Sequence, residues 1–435
     1  MSGKCLRMVA KVYFETYGCS YNKADTKIME NIVSKNFEIV EDIDLADIIV
    51  LNTCYVKTST EHRIVNRIKE LTSKYPEKKM IIAGCMSAVD REKAIIANPR
   101  ASLLGPQNID KINEVIERTL RNETVYYTTY QRLDKSVFPK LWKKNDVIRI
   151  VQICEGCADA CRYCCTRIAR GPIFSFKTEN ILEEVRKGVS EGAKEFWLTA
   201  QDTSAYGIDS GTNLAELVKK VVEIDGQFYV RIGMMNPHHT LKILDDLIEV
   251  YKSPKVFKFL HLPVQSGSNR ILKLMRRRYT IEDAELIIKS FRKIFPKLTF
   301  ATDIIVGYPG EEDEDFMETL NFLNKTKPDI VNLSKFGKRP KTDVEIDKGH
   351  DINVLKARSK KAHELICKLQ FDGNRRWIGW KGKILVDEKI GNSSIGRNEY
   401  YRNIVLKEEV ELGTFLDVEV VDAAQHFLLG RILCR

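Results

Sequence analysis

The sequence has no hydrophobic run long enough to cross a bilayer. Its longest apolar stretches, such as residues 196–200 and 304–306, are a few residues long, whereas a spanning helix needs about 20. The opening fourteen residues have no continuous apolar core either, because Lys4, Arg7 and Lys11 interrupt them. A cleaved export signal is therefore not expected, and a cytoplasmic protein with no membrane partner is. A surplus of acid is also missing. Lys and Arg number 70 against 60 Asp and Glu, a formal charge of +10, which favours polyanionic partners. The balance of 43% hydrophobic and 30% charged residues excludes extended disorder. Eleven cysteines without an export signal are not expected to form structural disulfides, since the cytosol keeps thiols reduced. Metal or cluster ligation is the better expectation.

At 435 residues the chain exceeds the roughly 100–200 of one domain. Residues 1–134 repeat one pattern: an apolar strand, a cysteine, then a helix-like stretch. Strands at 12–14, 47–51 and 80–83 lead to Cys19, Cys54 and Cys85. Alternation of strand and helix predicts a parallel sheet, whose ligands sit at the carboxyl ends of the strands. A polar stretch, 128–146, reads as a linker. Residues 143–371 then resume the alternation, with strands near 147–153, 195–200, 227–234, 256–263, 298–307 and 330–336. Helices are predicted from Thr178 and from Asn213. Six such units predict a partial (β/α)6 barrel with its site at the strand C-termini. Residues 372–435 break into short β-like runs between Gly382, Gly391, Gly396 and Gly413, which predicts a small β-barrel. The expected fold class is thus α/β, with a β-barrel appended.

Cys157, Cys161 and Cys164 form C-x3-C-x2-C directly after the first barrel strand. Three thiolates on one tight loop suit three corners of a 4Fe–4S cluster and leave the fourth iron open. A zinc loop is the alternative, with Cys154 or Cys165 as the fourth ligand. Cys19, Cys54 and Cys85 are far apart in sequence but share one predicted sheet edge, where three ligands would again leave an iron free. Their alternative is to be buried core thiols.

Several stretches carry a resemblance. ETYGCSYNKAD, LNTCYVKTSTE and AGCM resemble the N-terminal cluster domain of the methylthiotransferases. GCADACRYCCTRIARG resembles the cysteine loop of radical S-adenosylmethionine (SAM) enzymes. LTAQDTSAYG, VRIGMMNPHH, LHLPVQSGSNRIL and ATDIIVGYPGEEDEDF resemble the later barrel motifs, and GRNEYYRNIVL resembles the RNA-binding TRAM domain. The resemblance covers nearly the whole chain, in the family's order. It implies two 4Fe–4S clusters, an auxiliary one on Cys19, Cys54 and Cys85 and a radical-generating one on Cys157, Cys161 and Cys164. It implies two SAM molecules, one donating a methyl group to a sulfur and one cleaved to a radical, and transfer of the methylthio group to carbon 2 of an adenine in tRNA. An electron donor and a sulfur donor must serve the reaction.

Position within the resembling motifs assigns SAM contacts to Gln201, Asp202, Arg231, Gln265, Asp303 and Gly307. The run from Cys165 to Gly171 is most similar to the archaeal and eukaryotic members that act on N6-threonylcarbamoyladenosine at position 37 of tRNA. Members acting on isopentenyl-adenosine or on a ribosomal-protein aspartate are the alternatives, and a zinc-stabilised RNA-binding protein is the alternative without catalysis. The eukaryotic members add a C-terminal membrane anchor, which is not expected here. Arg167 and Arg170 are expected to grip the threonylcarbamoyl carboxylate. Arg276, Arg277 and Arg278, with Arg375 and Arg376, are expected on phosphates or on a solvated face. The tail carries ten Lys and Arg against ten Asp and Glu, so its RNA contacts are expected to depend on a local patch or on stacking by Trp377, Trp380, Tyr400 or Tyr401.

Overall fold

The computed structural model describes residues 9–144, 146–344 and 351–434. The first eight residues, part of the stretch read for an export signal, and the terminal Arg435 lie outside them.

A six-stranded, all-parallel sheet comes first, in the order Glu38–Val40, Lys11–Thr16, Ile48–Thr53, Lys79–Gly84, Ser102–Leu104 and Tyr126–Tyr127. The strand Ile48–Thr53 is buried at every residue, as a parallel strand covered on both faces must be. On one face lie Ile28, Met29, Val33, Ile112 and Val115; on the other lie Ile64, Ile68 and Leu71 of the helix Thr58–Lys74. The sheet order reverses at the first strand, with the second strand on one side of it and the third on the other. The crevice above such a reversal, at the strand C-termini, is the favoured ligand site of doubly wound sheets.

Six further parallel strands follow: Ile148–Gln152, Glu195–Thr199, Tyr229–Ile232, Phe259–His261, Thr299–Val306 and Ile330–Lys335. Each neighbours the next, the third and fourth through a single bridge from Val230 to Val256. No ladder joins the first to the sixth among the described residues, so the barrel is partial. Its outer helices form where expected. Asn213 caps Leu214–Val222 by accepting from the Glu216 amide at 3.0 Å, and Leu214, Leu217, Val218 and Val221 are buried.

The tail closes into a five-stranded barrel, in the order Lys381–Ile390, Ser393–Asn398, Asn403–Leu406, Leu428–Cys434 and Phe415–Ala423. The strand Ser393–Asn398 was not expected, because its polar composition and flanking Gly391 read as a break. It earns its place by pairing on both sides. The helix Ile352–Arg375 runs through the expected boundary at 371/372.

The two outer units sit at opposite ends of the central barrel. The C-terminal barrel closes the end where the core strands begin. The Lys258 amide donates to the Glu399 carbonyl at 2.8 Å, Tyr401 packs on Phe257 and Phe259, and Arg402 pairs with Asp329 at 3.0 Å. The N-terminal sheet covers the end where the core strands finish. Ser20 meets Thr199, the last residue of its strand, at 2.8 Å, and Gln107 donates to the Ala169 carbonyl at 3.0 Å. The stretch read as a linker is a packed strap and not a loose tether. Lys135 within it is fully buried, with Asp25 of the first sheet unit at 2.9 Å and Glu155 of the barrel at 2.8 Å.

Candidate active site

Cys19, Cys54 and Cys85 follow three adjacent strands of the first sheet. Cys19 precedes the helix Ser20–Val33, Cys54 follows Ile48–Thr53, and Cys85 opens the helix Cys85–Val89. Glycine makes the approach possible. Gly18 has φ +146, and a Cβ there would lie 3.0 Å from the Cβ of Cys54; at Gly84, φ +90, a Cβ would lie 2.5 Å from the Thr53 carbonyl oxygen. Neither position tolerates a side chain. Burial, then Cys85 and Cys19 close by, pushes the Cys54 thiol up to about 12. The Cys85 thiol is likewise pushed up by burial, and the positive charge of a metal centre at this place would reverse that penalty.

Cys157, Cys161 and Cys164 lie on a loop rooted in a short antiparallel pair, Cys154–Glu155 with Phe174–Ser175. The root is tightened by the Cys157 amide donating to the Gly171 carbonyl at 3.2 Å and the Gly156 amide donating to Gln201 Oε1 at 2.8 Å. The sulfurs already receive donors. The Asp159 amide points to Cys157 Sγ at 3.4 Å, the Thr166 amide to Cys164 Sγ at 3.4 Å, and Arg277 Nη1 to Cys161 Sγ at 3.3 Å. Among the described residues, only Asp159, Asp202 and His239 bring three possible ligand atoms within 4.8 Å of one another, and neither cysteine trio closes that far. One zinc ion binds sulfur at about 2.3 Å, which puts its sulfurs within about 4 Å of each other. Neither trio is gathered as tightly as the ligands of one such ion.

Cys165 links the surroundings of the two trios. Cys165, next to Cys164, donates to the Tyr55 carbonyl at 3.5 Å, and Tyr55 follows Cys54. Its thiol is pushed up by burial first, then by Cys164, Cys85 and Cys54. One side chain thus senses ligands of both sets. Cys154 is fully buried and donates to the Asp202 carbonyl at 3.8 Å. Cys154 and Cys165 serve as the joints of the loop.

The structure corrects several placements made from the sequence. Arg170 does not open onto a substrate. It is 3% exposed, and its guanidinium binds Glu155 at 2.7 Å, Asp25 at 2.9 Å and Asn22 Oδ1 at 2.8 Å, over the Tyr21 ring. It also reaches the Cys85 thiol. Together with Lys135 these groups form a quartet of two cations and two carboxylates. Arg167 is exposed and stays available. Arg231, expected on SAM, turns toward the other end of the barrel. Its guanidinium lies about midway among Trp197, Phe259 and Tyr401, at 5.1, 5.0 and 5.3 Å, toward the end closed by the C-terminal barrel. Asp202 is buried, and its Oδ1 accepts from the Ser204 amide at 3.1 Å, Ser204 Oγ at 2.6 Å and the Asn236 amide at 3.0 Å. It holds two loops together. Trp377 is 6% exposed and Tyr401 is packed on the core, so neither offers a free face to a base. Of the basic run, Arg276 pairs with Asp343 at 2.8 Å and Arg277 turns inward.

Other expected positions remain near the strand ends. Gln265 is half-buried, and its backbone is held at φ +75 by bonds to Asp303 and Ile305, a conformation uncommon for a non-glycine residue and frequent at functional sites. Asp303 meets His261 Nε2 at 3.3 Å. Burial opposes its charge, but His261, Asn332 and Lys57 outweigh that and hold its carboxyl below the usual range. The Gly307 amide donates to Glu311 at 2.8 Å. Sequence reasoning missed Asn236, His239, His261, Lys135 and Glu155. Asn236 alone carried a signal, the Asn-Pro start of the helix Pro237–Leu241.

Comparison with known proteins fits this geometry. Residues 151–323 match the radical SAM superfamily, and residues 11–105 match a family described as "Uncharacterized protein family UPF0004". A "Probable threonylcarbamoyladenosine tRNA methylthiotransferase" from Methanothermobacter thermautotrophicus is 42% identical over 97% of this chain and 99% of its own length. The "Threonylcarbamoyladenosine tRNA methylthiotransferase" of Xenopus laevis is 33% identical over 97% of this chain and 77% of its own length. Among solved structures, the radical SAM methyltransferase TsrM of Kitasatospora setae superposes with a TM-score of 0.57 over 77% of this chain and 74% of its own, at 12% identity, a likeness of fold alone. The fold, the cysteine sets and these relatives lead to one conclusion: the chain belongs to the threonylcarbamoyladenosine tRNA methylthiotransferase family of radical SAM proteins.

Proposed function

We propose that this protein converts N6-threonylcarbamoyladenosine at position 37 of tRNA into its 2-methylthio derivative. The observation that carries the reading is the meeting of two cysteine trios at the covered mouth of the barrel, with Cys165 between them. Cys157, Cys161 and Cys164 would hold one 4Fe–4S cluster with SAM on its open iron, and Cys19, Cys54 and Cys85 a second. Bound there, these groups supply the radical and sulfur chemistry that an unactivated aromatic C–H requires and no side chain can provide.

The chain's own residues fix the geometry. The Asp25, Lys135, Glu155 and Arg170 quartet locks the auxiliary unit onto the barrel loop, so neither trio can drift from the other. Gln201 steadies the root of the loop through the Gly156 amide. Gln265, Asp303 and Gly307 line up on adjacent strand ends where the adenosyl portion of SAM would lie. Arg167 is exposed beside the loop and has the planar fork that binds a carboxylate. A pocket with such a donor discriminates against an isopentenyl group, which would leave it unpaired. We assign residues 1–134 to the auxiliary cluster, 143–371 to radical formation and 372–435 to a TRAM-like RNA-binding barrel. A cytoplasmic setting, an electron donor and a sulfur donor follow from the reaction. The relatives favour this substrate over isopentenyl-adenosine or a ribosomal-protein aspartate, and the thiol spacing disfavours a zinc-only binding protein.

The test offers the reconstituted protein two tRNAs, one with threonylcarbamoyl-adenosine and one with isopentenyl-adenosine, with dithionite, SAM and sulfide. Nucleoside mass spectrometry should find the methylthio product from the first alone. Equal product from both would refute the substrate assignment, and no product from either would refute the activity.

A further inference from the structure

Each cysteine trio is touched by one arginine that the barrel supplies, and the two arginines differ in what surrounds them. Arg170, which reaches Cys85, is neutralised by Asp25 and Glu155. Arg277 has Asp159 as a nearby counter-charge but makes no ion pair with it. Its nitrogens go to Tyr279 Oη at 3.0 Å, the Pro263 carbonyl at 3.1 Å, Asn236 Oδ1 at 3.4 Å and Cys161 Sγ at 3.3 Å. No carboxylate pairs with it among the described residues. The nearby Asp159 accepts from Asn236 Nδ2 beside His239, while its other oxygen has no hydrogen-bond partner and lies 3.7 Å from Arg278 Nε, so its charge serves Arg277 and Arg278 together.

A partly buried guanidinium with only neutral partners is costly unless a counter-charge arrives. Cysteines that ligate a metal centre are thiolates, so a loaded Cys161 would be that counter-charge and would accept a charge-assisted hydrogen bond. Adding one electron to a cluster from a low-potential donor makes it more negative, with no bond made or broken. A cation donating to a ligand sulfur stabilises that reduced form, because hydrogen bonds to sulfur and net charge set cluster potentials.

We propose that Arg277 is a positioning residue that acts through Cys161 to raise the reduction potential of the radical SAM cluster, by the hydrogen bond its guanidinium donates to the Cys161 sulfur. The proposal rests on Cys157, Cys161 and Cys164 being the ligands of that cluster. It separates the two sites electrically: the one that must accept the electron has a cation donating directly to a cysteine sulfur, and the other sits against a neutral quartet.

The experiment uses the full chain with Cys19→Ala, Cys54→Ala and Cys85→Ala, so that only the barrel cluster assembles. Dithionite titration followed by electron paramagnetic resonance gives its midpoint. Arg277→Met should move the midpoint to more negative potential, and Arg277→Gln, which keeps a donor without charge, should move it less. Arg277→Lys should lie nearest the parent. If Arg277→Met fails to assemble a cluster, the Gln and Lys variants decide the matter. Equal midpoints in the parent and in every variant that assembles would overturn the proposal. Iron analysis separates this from the underlying reading: a parent that binds no four-iron cluster overturns the ligand assignment itself.

Discussion

The two ends of the central barrel are both closed by another part of the chain, and both closures bury charge, yet the bookkeeping of that charge differs. At the mouth, Asp25, Glu155, Lys135 and Arg170 balance two against two, each within 3 Å of its partners. At the floor, Glu195 of the barrel and Asp387 of the tail face one another with Arg397 as their shared cation. Oxygens of both carboxyl groups, Glu195 Oε2 and Asp387 Oδ1, find no hydrogen-bond partner. Burial, then Glu195 alongside, pushes Asp387 up to about 8. The quartet at the mouth pairs each of its charges within itself. The floor needs a proton to be complete. The aromatic layer of Trp197, Phe259 and Tyr401 around Arg231 reinforces the contrast, since the floor is built for closure and the mouth for chemistry.

The largest effect that sharpens this contrast is expected at the mouth. Replacing Cys19, Cys54 and Cys85 with Ala should abolish the methylthio product while 5′-deoxyadenosine still forms from SAM. Iron should fall from about eight to about four atoms per chain. Chromatography of the SAM products with iron analysis checks this, and loss of SAM cleavage with the barrel cluster intact would break the division of labour.

Next in size is the quartet. Lys135→Met leaves two buried carboxylates with one cation and should cost about 3–5 kcal/mol of stability, read as a lower urea midpoint. Adding Asp25→Asn should restore much of it, because the charge count is even again. A Lys135→Met protein as stable as the parent would show that the mouth does not depend on balance.

Arg231→Met tests the floor. Losing a cation among three rings should cost about 0.5–2 kcal/mol, and calorimetric SAM affinity should stay at the parental value. A large loss of SAM binding would return Arg231 to the cofactor site.

The smallest effect is the pH dependence of the floor. The folded state keeps the Asp387 proton to higher pH than the unfolded chain, whose carboxyl ionises near about 4. The unfolded state therefore binds fewer protons between about pH 4 and the raised value, and stability falls as pH rises through that window. Asp387→Asn should flatten the fall and gain on the parent most at alkaline pH. Melting curves from pH 5 to 9 check it, and parallel curves for the two proteins would count against the shared proton.

Much of the architecture was legible because periodicity and spacing are local. The strand–cysteine–helix repeat placed Cys19, Cys54 and Cys85 after adjacent strands, and C-x3-C-x2-C placed Cys157, Cys161 and Cys164 on one loop. The strand Ser393–Asn398 was not legible, because its pairing partners and not its composition make it a strand. Lys135 looked like linker because a polar residue in a polar stretch carries no mark of burial; its partners are 110 and 20 residues away. Arg276, Arg277 and Arg278 are alike in sequence, and only packing separates the one that turns to Cys161 from its neighbours.

The sequence by itself determined which side chains could ligate, in what order they fall, and that they sit at strand ends, because those properties follow from residue chemistry and from periods of two and 3.6. Only the tertiary structure decided which charges meet. Arg170 was a plausible substrate grip until Asp25, 145 residues earlier in the chain, and Glu155 were brought against it, and Arg231 was a plausible cofactor contact until Tyr401 closed over it. The energy of a buried charge depends on its nearest counter-charge, and that distance exists only once the chain has folded.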